Sequence, residues 1–407
     1  MLAGIACGEP AGTGDWPQFR GPTGQGISEA KDPPRSWGLD KGVAWSRKVP
    51  GGWASPVLVD GKVFLSGAEV EDGKTTLCVM QLDAKSGRVM WRRDIFKPEE
   101  ELAKRRHAKN GLASPTPLIA DGVIYVHFGH MGTAALKAGS GEVIWKHRID
   151  YPPMHGNASS PVLVDGKLIL NVDAEEDPAI MALDAKSGAP VWKTPRNQEV
   201  KRKFSFATPL VIEVGGESQI ISQASGFVGA YAPGDGRLIW RVSYGEGYSV
   251  IPRPVTDGGL VYVASGFGKP KLLAIRPDGA KGEVTESHVV WESDKWMPKT
   301  PSMIAKDGWL VILDDTGTLS GRDGKSGELL WHEKLAGNFS SSPVLAGETV
   351  YCCTEDGVCY VVDVSREGAE VVSEVDMKER IFASPVVVDG AVYLRGEEHI
   401  WKIASGS

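Results

Sequence analysis

Short apolar runs alternate with tight polar turns along almost the whole chain, and the alternation is periodic. Ser55-Pro56-Val57-Leu58-Val59-Asp60-Gly61-Lys62-Val63-Phe64 returns as Ser160-Pro161-Val162-Leu163-Val164-Asp165-Gly166-Lys167-Leu168-Ile169, and again as Ser384-Pro385-Val386-Val387-Val388-Asp389-Gly390-Ala391-Val392-Tyr393. Weaker copies begin at Pro117, Pro209, Pro254, Pro301 and Pro343. Within a unit, an apolar run, Asp-Gly and a second apolar run predict a hairpin whose turn needs φ > 0, which glycine supplies. A third strand ends in Leu82-Asp83-Ala84-Lys85-Ser86-Gly87, a phrase that recurs over Leu183–Gly188 and more loosely over Asp323–Gly327. A fourth strand carries a tryptophan: Trp45, Trp91, Trp145, Trp192, Trp240, Trp291 or Trp331, with Val372 in the remaining slot.

Eight prolines separated by 42–61 residues give the period of a four-stranded propeller blade. One flat ring per unit suits packing between neighbouring sheets. Trp45 precedes the first proline, so the chain opens on a strand of the fourth type, whereas the last unit ends in a third strand at Trp401–Ala404. Pairing the two satisfies both edges. The expected fold is an all-β, eight-bladed β-propeller of four-stranded antiparallel blades, closed by the N-terminal strand completing the last blade. Residues 1–40 form an N-terminal segment and 41–407 a single propeller domain.

Composition fits this picture. Glycine (50) and proline (26) are abundant and spread out, and 42% hydrophobic residues fill a large core. A net charge of −7 with interspersed signs gives no field for nucleic acid or a membrane surface. No apolar run is long enough to span a bilayer. Met1-Leu2-Ala3-Gly4-Ile5-Ala6-Cys7 reads as the stub of an export signal, or as a lipoprotein box with a lipid anchor at Cys7. With 354–357 as a loop, Cys352 faces Cys359, a pair open to a cross-strand disulfide in an exported protein. Buried free thiols are the other reading.

Strands that run up and down a blade place the Asp-Gly and Lys-Ser-Gly turns at one end of the ring. The longer, more varied loops share the other end, where function is expected. That mouth gathers Trp53, Arg105, Arg106, His107, Asn110, His155, Asn157, Arg202, Phe204, Tyr248, Trp296, Asn338, Phe339 and Arg380. Aromatic and basic groups in alternation suit an anionic ligand, a polysaccharide stacked on Trp53, Tyr248 and Trp296, or an extended peptide. They suit equally a channel plugged by rings and rimmed by solvated charges. Pro98 followed by Glu99-Glu100-Glu101 and then Lys104-Arg105-Arg106 predicts a short helix capping one side.

Asp173, Glu175, Glu176 and Asp177 form an oxygen-rich loop at the same end, weak candidates for calcium that read otherwise as solvated acids. The histidines lack zinc-ligand spacing, and no nucleophile elbow, phosphate loop or dinucleotide fingerprint occurs.

Asp-x-x-Ser-Gly-x-x-x-Trp, at Asp83–Trp91 and Asp184–Trp192, resembles the tryptophan-docking repeat of the PQQ-like (pyrroloquinoline quinone) propeller family. Asp15-Trp16-Pro17-Gln18-Phe19-Arg20-Gly21-Pro22 resembles the start of many of its secreted bacterial members. The family includes quinoprotein alcohol dehydrogenases and the propeller lipoprotein that assists outer-membrane β-barrel assembly. The resemblance to the dehydrogenases implies a quinone held with Ca²⁺ by a Glu, an Asn and a catalytic Asp, which find no residue-by-residue match in this sequence. Cys352-Cys353 is similar to their vicinal cysteine pair but lies in a strand far along the chain. The resemblance to the assembly factor implies a monomeric, cofactor-free scaffold in the periplasm, at the cell envelope or secreted, binding a protein or polysaccharide at the mouth. The alternative it implies is a compact PQQ-dependent alcohol or sugar dehydrogenase with calcium.

Overall fold

The computed structural model describes residues 14–404, so the lipid anchor expected at Cys7 lies outside the described residues. Among the described residues no helix is long and apolar enough to cross a membrane. The chain forms an eight-bladed β-propeller of four-stranded antiparallel blades. Blade 1 (strands Val57–Val59, Lys62–Glu71, Lys74–Asp83 and Val89–Phe96) shows the plan that the others repeat. The innermost strand is three to five residues long, and the outer strand carries a bulge just before its tryptophan. Blade 8 is completed by Val43–Lys48, which pairs antiparallel with His399–Ala404, so the ring closes as the repeat count requires.

The repeated phrase has a physical cause at each blade junction. Asp83 Oδ1 accepts hydrogen bonds from the Ser86 N–H (2.9 Å) and hydroxyl (2.7 Å), which folds the turn. The same bonds hold the Asp83 carboxyl down at about 2. Gly87 then adopts φ +66°, and a Cβ there would meet the Trp45 ring at 2.6 Å. Trp45 lies flat on that glycine and donates its indole N–H to Ala84 O at 3.2 Å. Trp45, Trp91, Trp145, Trp192 and Trp291 dock in this way on the next blade's turn, and Trp331 keeps the indole hydrogen bond, to Ser365 O, without the glycine contact.

Two junctions depart further from the rule. Trp240 turns its N–H to Gln219 Oε1 within its own blade (2.9 Å), and Gly282–Glu283 adds a parallel strand outside it. On the outer strand of blade 7 the bulge falls at Val372, so Ser373, not Val372 as expected, holds the tryptophan position. Trp37 packs there instead, donating to Met377 Sδ. Blade 6 also shifts. Ser302-Met303 occupies the Ser-Pro position of the repeat, two residues after the expected Thr300-Pro301, because the inner strand begins only at Ile304.

The disulfide joins Cys353 to Cys359, where the sequence offered Cys352–Cys359 beside the default of buried free thiols. The Thr354 N–H bonds Val358 O (2.8 Å), so the loop is one residue shorter than expected and the register moves by one. Cys352 then points to the opposite face and is a buried free thiol, with burial pushing it up to about 12. The helix expected over 98–106 covers only Glu100–Ala103, and its basic residues fall beyond it.

The N-terminal arm closes one end of the channel. Trp16 bridges Leu58 of blade 1, and Pro17 O accepts the Ile119 N–H of blade 2 (2.8 Å). Arg20 donates to Met303 O (2.6 Å) and Gln25 O (2.6 Å), while Arg253 donates to Phe19 O (2.7 Å). Ile27–Ser28 then pairs parallel with Leu345–Ala346 of blade 7, and Ser28 Oγ donates to Val387 O of blade 8. The arm runs at the Asp-Gly turn end, where the Asp60 N–H bonds Asp15 and the Lys31 N–H bonds Asp389.

Candidate functional site at the open mouth

Both kinds of short turn lie at the arm end, as the alternation of strands requires. Gly61 O accepts the Ala84 N–H (3.0 Å), and Gly166 O accepts the Ala185 N–H (2.9 Å). The opposite end opens into a cavity of about 570 Å³ whose floor includes Phe19 of the arm.

Around that floor runs a ring built from the residue that begins each blade. The backbone N–H of one such residue donates to the side-chain hydroxyl of the next. The ring runs Ser55 to Thr116, Thr116 to Ser160 and Ser160 to Thr208, then Arg253 to Ser302, Ser302 to Ser342, Ser342 to Ser384 and Ser384 to Ser55. All seven distances lie between 2.9 and 3.1 Å. In blade 5 Arg253 stands where the others carry a hydroxyl, and its Nε bonds Pro209 O at 3.1 Å. Backbone donors buried at the ring centre are thereby satisfied.

Above the ring, one wall is an aromatic arc. Ring centroids step from His107 to His155 (5.4 Å), on to Phe204 (5.1 Å), Tyr248 (5.9 Å) and Phe267 (6.4 Å). Arg202 lies over Tyr248 at 4.3 Å and Lys299 over Phe267 at 5.7 Å. These cation–ring contacts hold positive charge along the arc. Burial, with His107 alongside, holds the His155 imidazole below its ordinary value. A second aromatic pair, Trp53 and Phe382 (4.6 Å), lies beneath Arg380. Buried Arg395 positions Trp53 by donating to Pro50 O and Ala54 O on either side of it. Asn110 Nδ2 donates to His155 O (2.8 Å) and so couples two loops. Lys109 reaches Glu355 of blade 7 at 2.8 Å, an ion pair between loops 246 residues apart, and Ser340 Oγ also donates to Glu355.

Of the residues expected at the mouth, Trp53, His107, Asn110, His155 and Tyr248 line the cavity. Phe204 lies in the arc, and Arg202 and Arg380 cover its rings. The others are elsewhere. Arg105 and Asn338 are exposed, and Arg106 is tied to Ala103 O. Asn157 packs on Gly129. Trp296 stacks on His332 of the outer strand of blade 6, away from the channel. Phe339 is fully buried between blades 6 and 7, against Tyr360. Sequence reasoning overlooked Phe206, Phe267 and Lys299 and did not place Asp315 in the cavity lining. Phe267 and Asp315 sit on loops after second strands, which share this end, so their position along the repeat was the available signal.

Of the loop weighed for calcium, one member, Asp173, is already engaged in an ion pair. Asp173 is buried and takes two hydrogen bonds from equally buried Arg196, at 2.9 and 3.1 Å. Burial opposes the Arg196 charge, but Asp173 beside it prevails and holds the guanidinium protonated. No group of three or more His, Cys, Asp or Glu among the described residues is placed to hold a metal ion. The cavity lining carries one carboxylate, Asp315, whose Oδ2 accepts the Lys299 N–H at 2.6 Å. The Glu, Asn and Asp set that a calcium-bound quinone requires is therefore not assembled, and these residues do not fit that cofactor.

Comparison with known proteins agrees with the repeat. The family model described as "Outer membrane protein assembly factor BamB" matches residues 37–162, 78–269, 224–285 and 280–396. The outer membrane protein assembly factor BamB of Yersinia pestis is 23% identical over 312 residues, covering 74% of this chain and 71% of that protein. Quinohemoprotein alcohol dehydrogenase ADH IIB of Pseudomonas putida is 25% identical over 294 residues, 54% of this chain and 42% of that protein. A europium-containing methanol dehydrogenase shares the fold at a TM-score of 0.75, with 11% identity and coverage of 97% of this chain and 98% of that one. Matched from Trp37 to Gly396 by that model, the chain belongs to the PQQ-like repeat family of the outer membrane protein assembly factor BamB.

Proposed function

We propose that this chain is a non-catalytic, monomeric scaffold of the cell envelope that binds a protein or polymeric partner at its mouth. The observation that carries the reading is the polarity of the channel. One end is filled by the chain's own arm, and the other opens into an aromatic, cation-bearing cavity of about 570 Å³. Concave, mostly apolar sites with a few convergent polar groups are where ligands bind. Similarity to an assembly factor of outer membrane proteins supports a protein partner and a location outside the cytoplasm.

Similarity to quinohemoprotein alcohol dehydrogenase favours a second reading, a compact PQQ-dependent dehydrogenase. The donor set at the mouth speaks against it. Calorimetric titration with the quinone and Ca²⁺, read beside dye-linked alcohol oxidation, separates the two. Stoichiometric binding with turnover would establish the dehydrogenase.

Photo-crosslinking in the native cell tests the scaffold. A photoreactive residue at Tyr248 or Arg380 is expected to trap a discrete partner, and one at Lys85 or Lys186 of the turn end to trap none. Crosslinks from the turn end alone would refute the assignment of the mouth.

A further inference from the structure

We propose that the hydroxyl ring on the cavity floor is a carboxylate-binding site, receiving the acidic end of a ligand whose apolar body lies along the aromatic arc. The inference rests on the mouth being the binding face and names the chemistry it recognises.

Ser55, Thr116, Ser160, Ser302, Ser342 and Ser384 all line the cavity, and none is more than 5% exposed. Each hydroxyl accepts one backbone N–H from the preceding blade and donates to no acceptor among the described residues. A hydroxyl has one proton to give and two lone pairs, so the ring faces the channel with its donors unspent and its acceptor capacity partly used. Buried donors without acceptors are costly, and the structure supplies none from its own backbone at this level.

Charge beneath the floor points the same way. Arg20 and Arg253 are fully buried, and the hydrogen-bond partners of their guanidiniums are backbone carbonyls, with no carboxylate paired to either among the described residues. Burial lowers both guanidiniums to about 9, which leaves them charged at neutral pH. Phe19, whose carbonyl Arg253 holds, is itself part of the floor. Two uncompensated positive charges in a medium of low dielectric favour an anion above them over a neutral sugar. Of the wall cations, Lys109 is neutralised by Glu355 (2.8 Å), while the Lys299 ammonium lies over Phe267 and adds to the positive charge facing the cavity. The arc of His155, Phe206, Tyr248 and Phe267 takes the apolar body.

The test is calorimetric titration of the whole protein with 3-phenylpropionate, against 3-phenylpropanamide and inorganic phosphate. One-site saturation with a dissociation constant on the order of millimolar is expected for a ligand of this size. The amide should bind at least about tenfold more weakly, as loss of one charge-assisted hydrogen bond implies. Joint Ser302→Ala and Ser342→Ala substitution should weaken the acid about tenfold. Joint Ser302→Thr and Ser342→Thr, which keeps the hydroxyls as blades 2 and 4 do naturally, should preserve binding. Equal binding of acid and amide, tighter binding of phosphate, or no saturation would overturn the site. If the alanine pair fails to fold, the acid–amide ratio and the threonine pair still decide. Loss of partner crosslinks in Trp53→Ala with no phenylpropionate binding would refute this inference and leave the mouth assignment standing.

Discussion

The two ends of the channel are made from the same inner strands and use their donors in opposite ways. At the turn end, the arm donates to carbonyls of blades 1, 6, 7 and 8, accepts backbone N–H groups of blades 1, 2, 7 and 8 and the Arg253 guanidinium, and fills the lumen. At the mouth, six buried hydroxyls and an arc of rings surround space. A region that spends most of its hydrogen-bonding capacity on internal partners adds stability and leaves little for a direct contact with a ligand. A region that leaves donors unspent gives up stability for binding. The contrast assigns stability to the arm and recognition to the mouth.

Several substitutions can break that contrast. The largest effect is expected from Arg20→Met at the arm, which strips four buried carbonyls of their donor and should cost about 3 kcal/mol. Denaturant unfolding measures it, and a cost under about 1 kcal/mol would mean that the arm is not a structural plug.

Next comes the mouth hairpin that carries Glu355. Cys353 and Cys359 are six residues apart, and closing so short a loop is worth about 2 kcal/mol in the chain-entropy view. Joint replacement of both by serine should lower stability by that amount and leave Cys352 unmodified by thiol reagents in the folded protein.

Acid probes the mouth side of blade 2. His127 is buried, accepts or donates only to Thr133 Oγ1, and burial lowers it from 6.5 to about 3. The unfolded chain takes up a proton near pH 6.5 and the folded chain only near 3, so stability is lost as the pH falls below 6.5. The loss approaches about 1.4 kcal/mol per pH unit from this residue alone. Unfolding curves at pH 7 and 5.5 should differ by about 1 kcal/mol, and His127→Gln should reduce the difference.

The smallest effect on stability is expected from Arg380→Ala at the rim. Its guanidinium is exposed above Trp53 and Phe382, a contact worth under about 1 kcal/mol. The same change should remove partner crosslinks, separating recognition from folding.

The sequence displayed blade number and ring closure openly, because apolar runs joined by Asp-Gly or a related turn repeat in every unit, and the chain opens on a spare strand while its last unit lacks one. Finer register was less legible. A bulge adds one residue to the outer strand, so counting along blade 7 reached Val372 where the fold uses Ser373. A loop shortened by one residue exchanged Cys352 for Cys353 in the disulfide. Loop assignment placed Trp296 and Phe339 at the right end of their blades, but which way a loop side chain turns depends on neighbours that no local pattern encodes. One of them stacks outward on His332 and the other sinks into the core. The hydroxyl ring was present in the repeated Ser-Pro, yet its closure requires knowing that blades 8 and 1 are neighbours. The arm is the extreme case. Arg20 bonds residues 283 and 323 positions away, contacts set by the finished ring rather than by the segment itself.

Hydrogen exchange of the free protein compares the two ends most directly. Amides at the junction of arm and ring, such as Trp16 to Leu58 O and Leu345 to Gly26 O, should exchange only with global unfolding. Those of the mouth loops over 104–112 and 153–158 should exchange orders of magnitude faster. An arm that exchanges as fast as the mouth loops would contradict the assignment of the arm as the seal and the mouth as the open face.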